Sequence, residues 1–291
     1  MTTDATHPTV TDEAVNSFDG APDPRLRELL TGLVRHLHAY VRETGLTQRE
    51  WERAIGFLTA TGQACTDTRQ EFVMLSDVLG LSMLVEEVNA RRAEGATEAT
   101  VLGPFHLTES PVREPDATID LAGGGEPCVV DVRVRSDDGT PLPGATVDVW
   151  QADGHGFYDV QRPDTQPPGN GRGLFTADAE GRVRFRSCVP SAYPIPTDGP
   201  VGTLLAATGR HPYRPAHIHF IASAAGHTPV TTHIFVAGGD YLDSDAVFAV
   251  KPSLVREFED IEDPEDPALA RQFGLSGPFR LARFDLVLER T

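Results

Sequence analysis

An α+β fold, with its helices and strands in separate parts of the chain, is what this sequence predicts, on three observations. Apolar residues recur at three- and four-residue spacing between Pro24 and about Arg92, the period of an amphipathic helix. From Val129 onward the runs are short and alternate apolar with polar residues, the period of a half-buried strand. Long turn-rich loops separate those runs, in a chain of 291 residues with 27 glycines and 23 prolines. Such loops go with antiparallel sandwiches and barrels. The order, helices before strands, predicts a mobile segment over 1–22, a helical domain over 23–100 and an antiparallel β-sandwich over 101–291.

Each element has its own signal. Residues 1–22 are polar and contain proline, so they should be mobile or loosely docked. Leu26, Leu29, Leu30, Leu33, Leu37 and Tyr40 line one face of a first helix, which Gly45 ends. Thr47 and Glu50 have the spacing of a capping box for a second. Trp51, Ile55 and Leu58 continue its apolar face to Gly62. A third helix is expected from Asp67 to about Arg92. Phe72, Leu75, Val78, Leu79, Met83 and Val85 leave it apolar over more than half its circumference, so it should be buried on several sides or make a subunit contact. Asp77 interrupts that run. It lies either on an exposed edge or against a partner or wet cavity, since a buried unpaired carboxylate is costly. Thr100 to His106 reads as a connector punctuated by Gly103-Pro104. Strands follow at Val129–Val134, Ala145–Trp150, Arg182–Arg186, Pro215–Ala222, Val230–Val236 and Arg283–Glu289, with a turn at Asp137-Asp138-Gly139.

A formal net charge of −18 argues against nucleic-acid binding, which needs a basic face. Cys65, Cys128 and Cys188 are odd in number and form no CxxC pair, which fits a reducing cytoplasm better than a disulfide framework. No stretch approaches 18 apolar residues, and the N-terminus lacks the pattern of a signal peptide.

The chemistry concentrates in Arg214-Pro215-Ala216-His217-Ile218-His219. On a strand, His217 and His219 point the same way, about 6.6–7 Å apart along the chain, while Ile218 faces the core. Two imidazoles on one face make half of a metal site. They suit Zn, Cu, Fe and Ni alike. Tyr158, after a strand in a loop with two glycines, and Tyr193, in a loop fixed by prolines, are the candidates for the other half. Phenolate oxygen is a hard anionic donor and favours a trivalent ion such as Fe(III).

Taken together, Asp148-Val149-Trp150-Gln151-Ala152-Asp153 through Tyr158, Tyr193-Pro194-Ile195-Pro196, the Arg214–His219 strand and Leu102-Gly103-Pro104-Phe105 resemble the intradiol ring-cleaving dioxygenases. The resemblance runs over about residues 25–290. It implies a non-haem Fe(III) held by Tyr158, Tyr193, His217 and His219 with a hydroxide. It implies Tyr193 as the ligand that leaves with a substrate proton, and Arg214 as the residue stabilising charge on the ring. It also implies a homodimer through the N-terminal helices, with a phospholipid between them. The segments Thr232–Phe248 and Leu75–Gly80 look most like the hydroxyquinol 1,2-dioxygenase subgroup. There, an aspartate at the place of Asp77 reaches the substrate, and it can accept a hydrogen bond from a third ring hydroxyl. The expected product is 3-hydroxy-cis,cis-muconate, the enol of maleylacetate. Matching positions put Met74, Val101, Gly103, Pro104, Phe105, Ile195, Pro196 and Val247 against the substrate, and His233 behind it or the metal ligands. Cleavage of catechol or chlorocatechol is the alternative within the family. Outside it, the alternatives are a metal-free sandwich and a zinc hydrolase, for which no H-E-x-x-H is present.

Overall fold

The computed structural model describes residues 9–66, 69–89, 95–262 and 267–291. The chain divides into two compact units, 1–60 and 61–291. In the first, α1 (Val10–Asn16) begins at a Thr9–Asp12 capping box, so residues 10–16 of the expected mobile segment are helical. Its Thr11 hydroxyl lies 2.9 Å from His38 Nδ1 and accepts from Arg42, both on α2 (Pro24–Thr44). Asp23 caps α2 at its N-terminus and Gly45 at its C-terminus. The Thr47–Glu50 capping box closes reciprocally, at 2.9 and 3.3 Å, and starts α3 (Gln48–Gln63). Leu26, Leu29, Leu33, Leu37 and Tyr40 of α2 stay about half exposed, as do Trp51, Ile55 and Leu58 of α3. The apolar stripes of both helices therefore lie open within one chain.

The expected third helix is two helices among the described residues, α4 (Glu71–Val78) and α5 (Leu81–Asn89). The break is Gly80, whose φ of +73° is the left-handed conformation that a helix cannot pass through. The expected ends, Asp67 and Arg92, lie outside the described residues. Asp77 is 3% exposed, which removes the exposed-edge reading.

The sandwich follows. Its elements are β1 (Pro127–Ser136), β2 (Thr146–Gln151), β3 (Arg172–Thr176), β4 (Arg182–Cys188), β5 (Tyr193–Pro194), α6 (Pro200–Ala207), β6 (Tyr213–Arg214), β7 (His217–Ser223), β8 (Val230–Val236), β9 (Val255–Arg256), β10 (Phe258–Ile261), α7 (Pro267–Gln272) and β11 (Phe279–Leu288). Among the described residues they make a four-stranded sheet, β10-β11-β1-β4, a five-stranded sheet, β3-β2-β7-β8-β9, and the small β5-β6 pair. The sheets are mixed rather than purely antiparallel: β1 pairs with β11, and β8 with β9, in parallel. Alternation along a strand reports which face is buried and not which way its neighbour runs, so the sequence pattern is silent on this. The alternating apolar residues of the strands form the core: Val130, Val132 and Val134 of β1, Val147 and Val149 of β2, Ile218 and Phe220 of β7, and Phe284, Leu286 and Leu288 of β11. Burying side chains of this size contributes about 1.5–3 kcal/mol each. With Ile218 and Phe220 committed to the core, His217 and His219 must lie on the opposite face of the sheet.

Helix α6 sits where the sequence suggests only a proline-rich loop. Pro200 at its first position, with φ preset and no N–H to satisfy, starts it. Buried Glu71 of α4 accepts from Val201 N at 3.1 Å, a carboxylate at a helix N-terminus.

Candidate metal centre and substrate cleft

Strand register builds the floor of the site. Trp150 on β2 lies directly opposite His219 on β7, and His219 directly opposite His233 on β8. One row of three side chains therefore crosses the outer face of the five-stranded sheet. Trp150 stacks on His219 at 4.5 Å between ring centroids, and the His233 ring lies 4.0 Å from that of His219. His217, two residues earlier on the same face, is 4.7 Å from His219.

The tyrosines arrive from loops that short backbone ladders hold. After β2, Asp153 Oδ1 accepts from His155 N and Phe157 N at 2.9 and 3.0 Å. That turn delivers Tyr158, whose N–H donates to Gln161 Oε1 at 2.9 Å. Tyr193 pairs with Arg214 in the β5-β6 ladder, so the loop tyrosine sits beside the residue that leads into the histidine strand. Phe105 stacks on Tyr158 at 4.5 Å. Gly103 packs so close to His219 that an added Cβ would stand 3.2 Å from its Cε1, and its φ is +76°. Glycine is required there for both reasons.

The donor atoms converge. His217 Nε2 lies 3.0 Å from His219 Nε2, His219 Nε2 3.1 Å from Tyr158 Oη, and the two phenol oxygens are 3.4 Å apart. His217 Nδ1–H donates to Pro215 O at 2.7 Å, which leaves Nε2 as a lone pair. Two imidazole nitrogens at that separation in a dry site need a cation or a proton between them. Atoms bound about 2.0–2.1 Å from one ion and separated by 3.0–3.4 Å subtend roughly 90–110° at it. The residues therefore fit a metal ion. Electrostatics agree. Burial drives His217, His219 and His233 well below the usual imidazole range, aided at His219 and His233 by neighbouring imidazoles and at all three by Arg214. Burial, with Tyr193 alongside, drives Tyr158 well above the usual phenol range, against the pull of Arg214. Neutral imidazoles are the ligating form, and a cation can displace the phenol proton.

His217, His219 and His233 form a three-histidine group in which one ring nitrogen from each lies within 4.8 Å of the other two. His233 is distinguished from the other two by its partner: Thr100 Oγ1 lies 2.5 Å from its Nδ1. Arg214, 2% exposed, has Nη1 3.2 Å from His217 Nε2 and Nε donating to Asp245 Oδ1 at 3.2 Å. Its Nη2 is buried without a partner. Burial opposes its charge, but Asp245 and the two phenols hold its pKa above the ordinary arginine value.

Two clefts flank the donors and share Gln70 and Pro104. One, of about 420 Å³, has Met74, Pro104, Phe105 and Pro196 in its wall. The other, of about 580 Å³, has Asp77, Val101, Gly103 and Pro104. Ile195 and Val247 are buried at 3% exposure and line neither cleft. Asp77 Oδ1 has no hydrogen-bond partner, and burial raises its pKa, with Ser82 and Arg214 acting the other way. Asp245, Thr100, Trp150 and His106 join the site without having been singled out from sequence. His106 packs edge-on to Trp150 at 4.7 Å and lies 3.2 Å from Asp148 Oδ2. Trp150 touches a donor directly, whereas Thr100 reaches His233, Asp245 reaches Arg214 and His106 reaches Trp150; Asp245 lies in the Thr232–Phe248 segment that carries the subgroup resemblance.

A sandwich face that gathers two phenols and three imidazoles beside apolar-walled clefts is that of a metalloenzyme acting on a small organic molecule. Residues 102–289 match the family model described as "Dioxygenase", and residues 23–97 the one described as "Catechol dioxygenase N terminus". The chain is 49% identical to a hydroxyquinol 1,2-dioxygenase of Rhizobium sp. (strain MTP-10005), covering 92% of this chain and 90% of that one. It is 49% identical to a 6-chlorohydroxyquinol 1,2-dioxygenase of Cupriavidus pinatubonensis, covering 93% and 92%. Among solved structures, hydroxyquinol 1,2-dioxygenase from Pseudomonas putida DLL-E4 superposes with a TM-score of 0.88 at 44% identity, over 97% of this chain and 98% of that one. Catechol 1,2-dioxygenase from Acinetobacter sp. ADP1 gives 0.82 at 29%, over 96% and 91%. This chain belongs to the intradiol ring-cleaving dioxygenases.

Proposed function

We propose that this dioxygenase cleaves hydroxyquinol with O₂ between its two adjacent hydroxyl-bearing carbons. The product is 3-hydroxy-cis,cis-muconate, the enol of maleylacetate, in the breakdown of aromatic compounds. The metal is Fe(III), held by Tyr158, Tyr193, His217 and His219. Hard phenolate donors beside two imidazoles support iron over zinc. The observation that carries the substrate is Asp77: a buried carboxylate with an unpaired oxygen in a cleft wall, free to accept from a third hydroxyl that catechol lacks. The identities of 49% to proteins named for hydroxyquinol or its chloro derivative support the same substrate.

Bound iron supplies Lewis acidity toward the diol and the electron relay that makes the ring reactive to dioxygen. The chain supplies the rest. Tyr193 Oη accepts one of the two diol protons. Arg214 Nη2, buried and without a partner, offers its N–H to negative charge on the ring, where a dry setting makes that interaction strong. His233, its Nδ1 2.5 Å from Thr100 Oγ1, packs against His219 and fixes its plane. Met74, Val101, Gly103, Pro104, Phe105, Ile195, Pro196 and Val247 form or back the substrate wall and keep water out.

Residues 101–291 form the catalytic part in this reading, and the helices of 23–100 form a homodimer. The half-exposed stripes of α2 and α3 support that assembly. Leu81, Leu84, Val85 and Val88 of α5, also exposed, suit a phospholipid tail. Three free cysteines fit a cytoplasmic protein. Among the described residues no helix is long and apolar enough to cross a membrane.

Oxygen uptake by the iron-loaded protein with hydroxyquinol, catechol and chlorocatechol tests the assignment. Hydroxyquinol should give the highest kcat/KM. Preference for catechol would overturn the substrate, and an iron-loaded protein without a visible tyrosinate band would overturn the metal.

A further inference from the structure

Two bulky residues bracket one loop in a backbone conformation that side chains rarely adopt: Tyr241 at φ +65° and Phe248 at φ +60°. Strain of that kind persists only where surrounding contacts impose it. The segment between them aims Asp245 and Val247 inward. Its inner side is tied by Asp245, which accepts from Val247 N and Ala249 N at 3.2 and 3.0 Å. Its outer side is tied by Arg210, a residue the mechanism above does not use.

Arg210 follows α6, and its N–H donates back to Leu205 O at 2.9 Å. From that anchor its guanidinium donates in two directions, Nη1 to Val78 O at 2.6 Å and Nη2 to Ala246 O at 2.9 Å. It also lies over the Phe248 ring, 4.9 Å from the centroid. Val78 is the last residue of α4 and neighbours Asp77. Ala246 neighbours both Asp245 and Val247. The Phe248 ring in turn lies 3.4 Å from where a Cβ on Gly80 would stand, so the loop rests against the break between α4 and α5.

We propose that Arg210 is a specificity-determining positioning residue. One planar guanidinium sets the spacing between the Asp77 carboxylate on α4 and the Asp245–Val247 loop that holds Arg214. A rigid fork with donors on two sides can bridge two carbonyls, while the ammonium of a lysine is a single point. The inference rests on the reading that Asp77 receives the third hydroxyl of the substrate. A cavity of about 530 Å³ beside Arg210, also bounded by His211 and Phe248, means that shortening the side chain leaves no sealed void.

The test uses the full-length, iron-loaded protein as wild type, Asp77→Ala, Arg210→Met, Arg210→Lys and the Asp77→Ala/Arg210→Met double variant. kcat/KM is measured for hydroxyquinol and catechol, and Kd for each by anaerobic titration of the visible band. Arg210→Met should lower the hydroxyquinol-to-catechol ratio about tenfold, as expected for displacing a group that aligns the substrate, with the loss visible in Kd. The double variant should lose no more of the ratio than Asp77→Ala alone. Equal losses for both substrates in Arg210→Met, or an unchanged ratio in Arg210→Lys if the Met variant does not fold, would overturn the proposal. The wild-type and Asp77→Ala arms report separately on the substrate reading. If Asp77→Ala leaves the ratio unchanged, that reading has failed, whatever Arg210 does.

Discussion

Asp245 offers the sharpest perturbation of the site that spares the proposed metal donors. Its Oδ1 accepts from Arg214 Nε and Val247 N, both at 3.2 Å, and its Oδ2 from Ala249 N at 3.0 Å. The two charged side chains are each 2% exposed, so water cannot replace either partner. Asp245→Ala removes three accepted bonds and strands a buried guanidinium whose Nη2 already lacks a partner. Breaking a buried pair from one side costs about 3–5 kcal/mol, a large share of the roughly 5–15 kcal/mol that holds a domain together. Asp245→Asn keeps the shape and an acceptor oxygen while deleting the charge, and should cost about 1–3 kcal/mol. Arg214 is then less firmly aimed, and kcat should fall about 10- to 100-fold. The four proposed metal donors are untouched, so the visible band should stay. Urea denaturation followed by circular dichroism gives the stability change, and oxygen uptake with an absorption spectrum gives the other two. A loss below about 1 kcal/mol in Asp245→Ala would refute the buried-pair account. Loss of the band in step with activity in Asp245→Asn would show that Asp245 acts on the metal site and not through Arg214.

Other outcomes follow from the same geometry. Tyr158→Phe removes an oxygen 3.1 Å from His219 Nε2 and should weaken and shift the visible band, leaving the share carried by Tyr193, while the far-ultraviolet dichroism is unchanged; a band of unchanged position and intensity would mean that Tyr158 does not bind the metal. Asp77 titrates above its ordinary 3.8 because it is buried, so the folded protein binds that proton more tightly than the unfolded chain. Its ionised form therefore destabilises the fold once the pH rises past the ordinary carboxylate range. Asp77→Asn should match wild type near pH 4 and melt higher at pH 7.5, by about 2–4 °C for each kcal/mol relieved, while losing hydroxyquinol activity; a lower melting point at pH 7.5 would contradict the unpaired state of Oδ1. Gly103→Ala adds a Cβ 3.2 Å from the His219 ring at a φ of +76° and should reduce both iron content and stability. Full iron occupancy in that variant would show that the connector yields.

What the sequence made legible was whatever a local period or a local motif encodes. The stripe from Leu26 to Tyr40, the Thr47–Glu50 box and the opposed faces of His217 and Ile218 each need only a few neighbouring residues, and each stands in the structure. Asp77 shows the limit. Its helix was readable, but its burial depends on what packs over it, and that comes from residues far along the chain. Gly80 looked like one glycine in an apolar run; its left-handed φ, which splits the helix, is a tertiary outcome. Asp245 lies 31 positions from Arg214 and Thr100 lies 133 from His233, distances over which no pattern speaks. The two-residue strands β5 and β6 are too short for any period, yet they place Tyr193 beside Arg214. Helix α6 was hidden because prolines read as loop, although Pro200 in fact begins it.

The parallel pairing of β1 with β11 constrains how this protein can be made. Ladder partners run from Cys128 with Arg280 to Ser136 with Leu288, so one edge of β1 is satisfied only by a strand made long after it. Until then, Val130, Val132 and Val134 have an incomplete sheet to pack in, and an unpaired edge invites pairing with another nascent chain. The sandwich cannot close before β11 has been made, whereas the helices that precede it in the chain are built from local contacts and can form earlier. Loss of β11 alone would leave a chain that contains every proposed metal donor yet no finished sandwich to hold them.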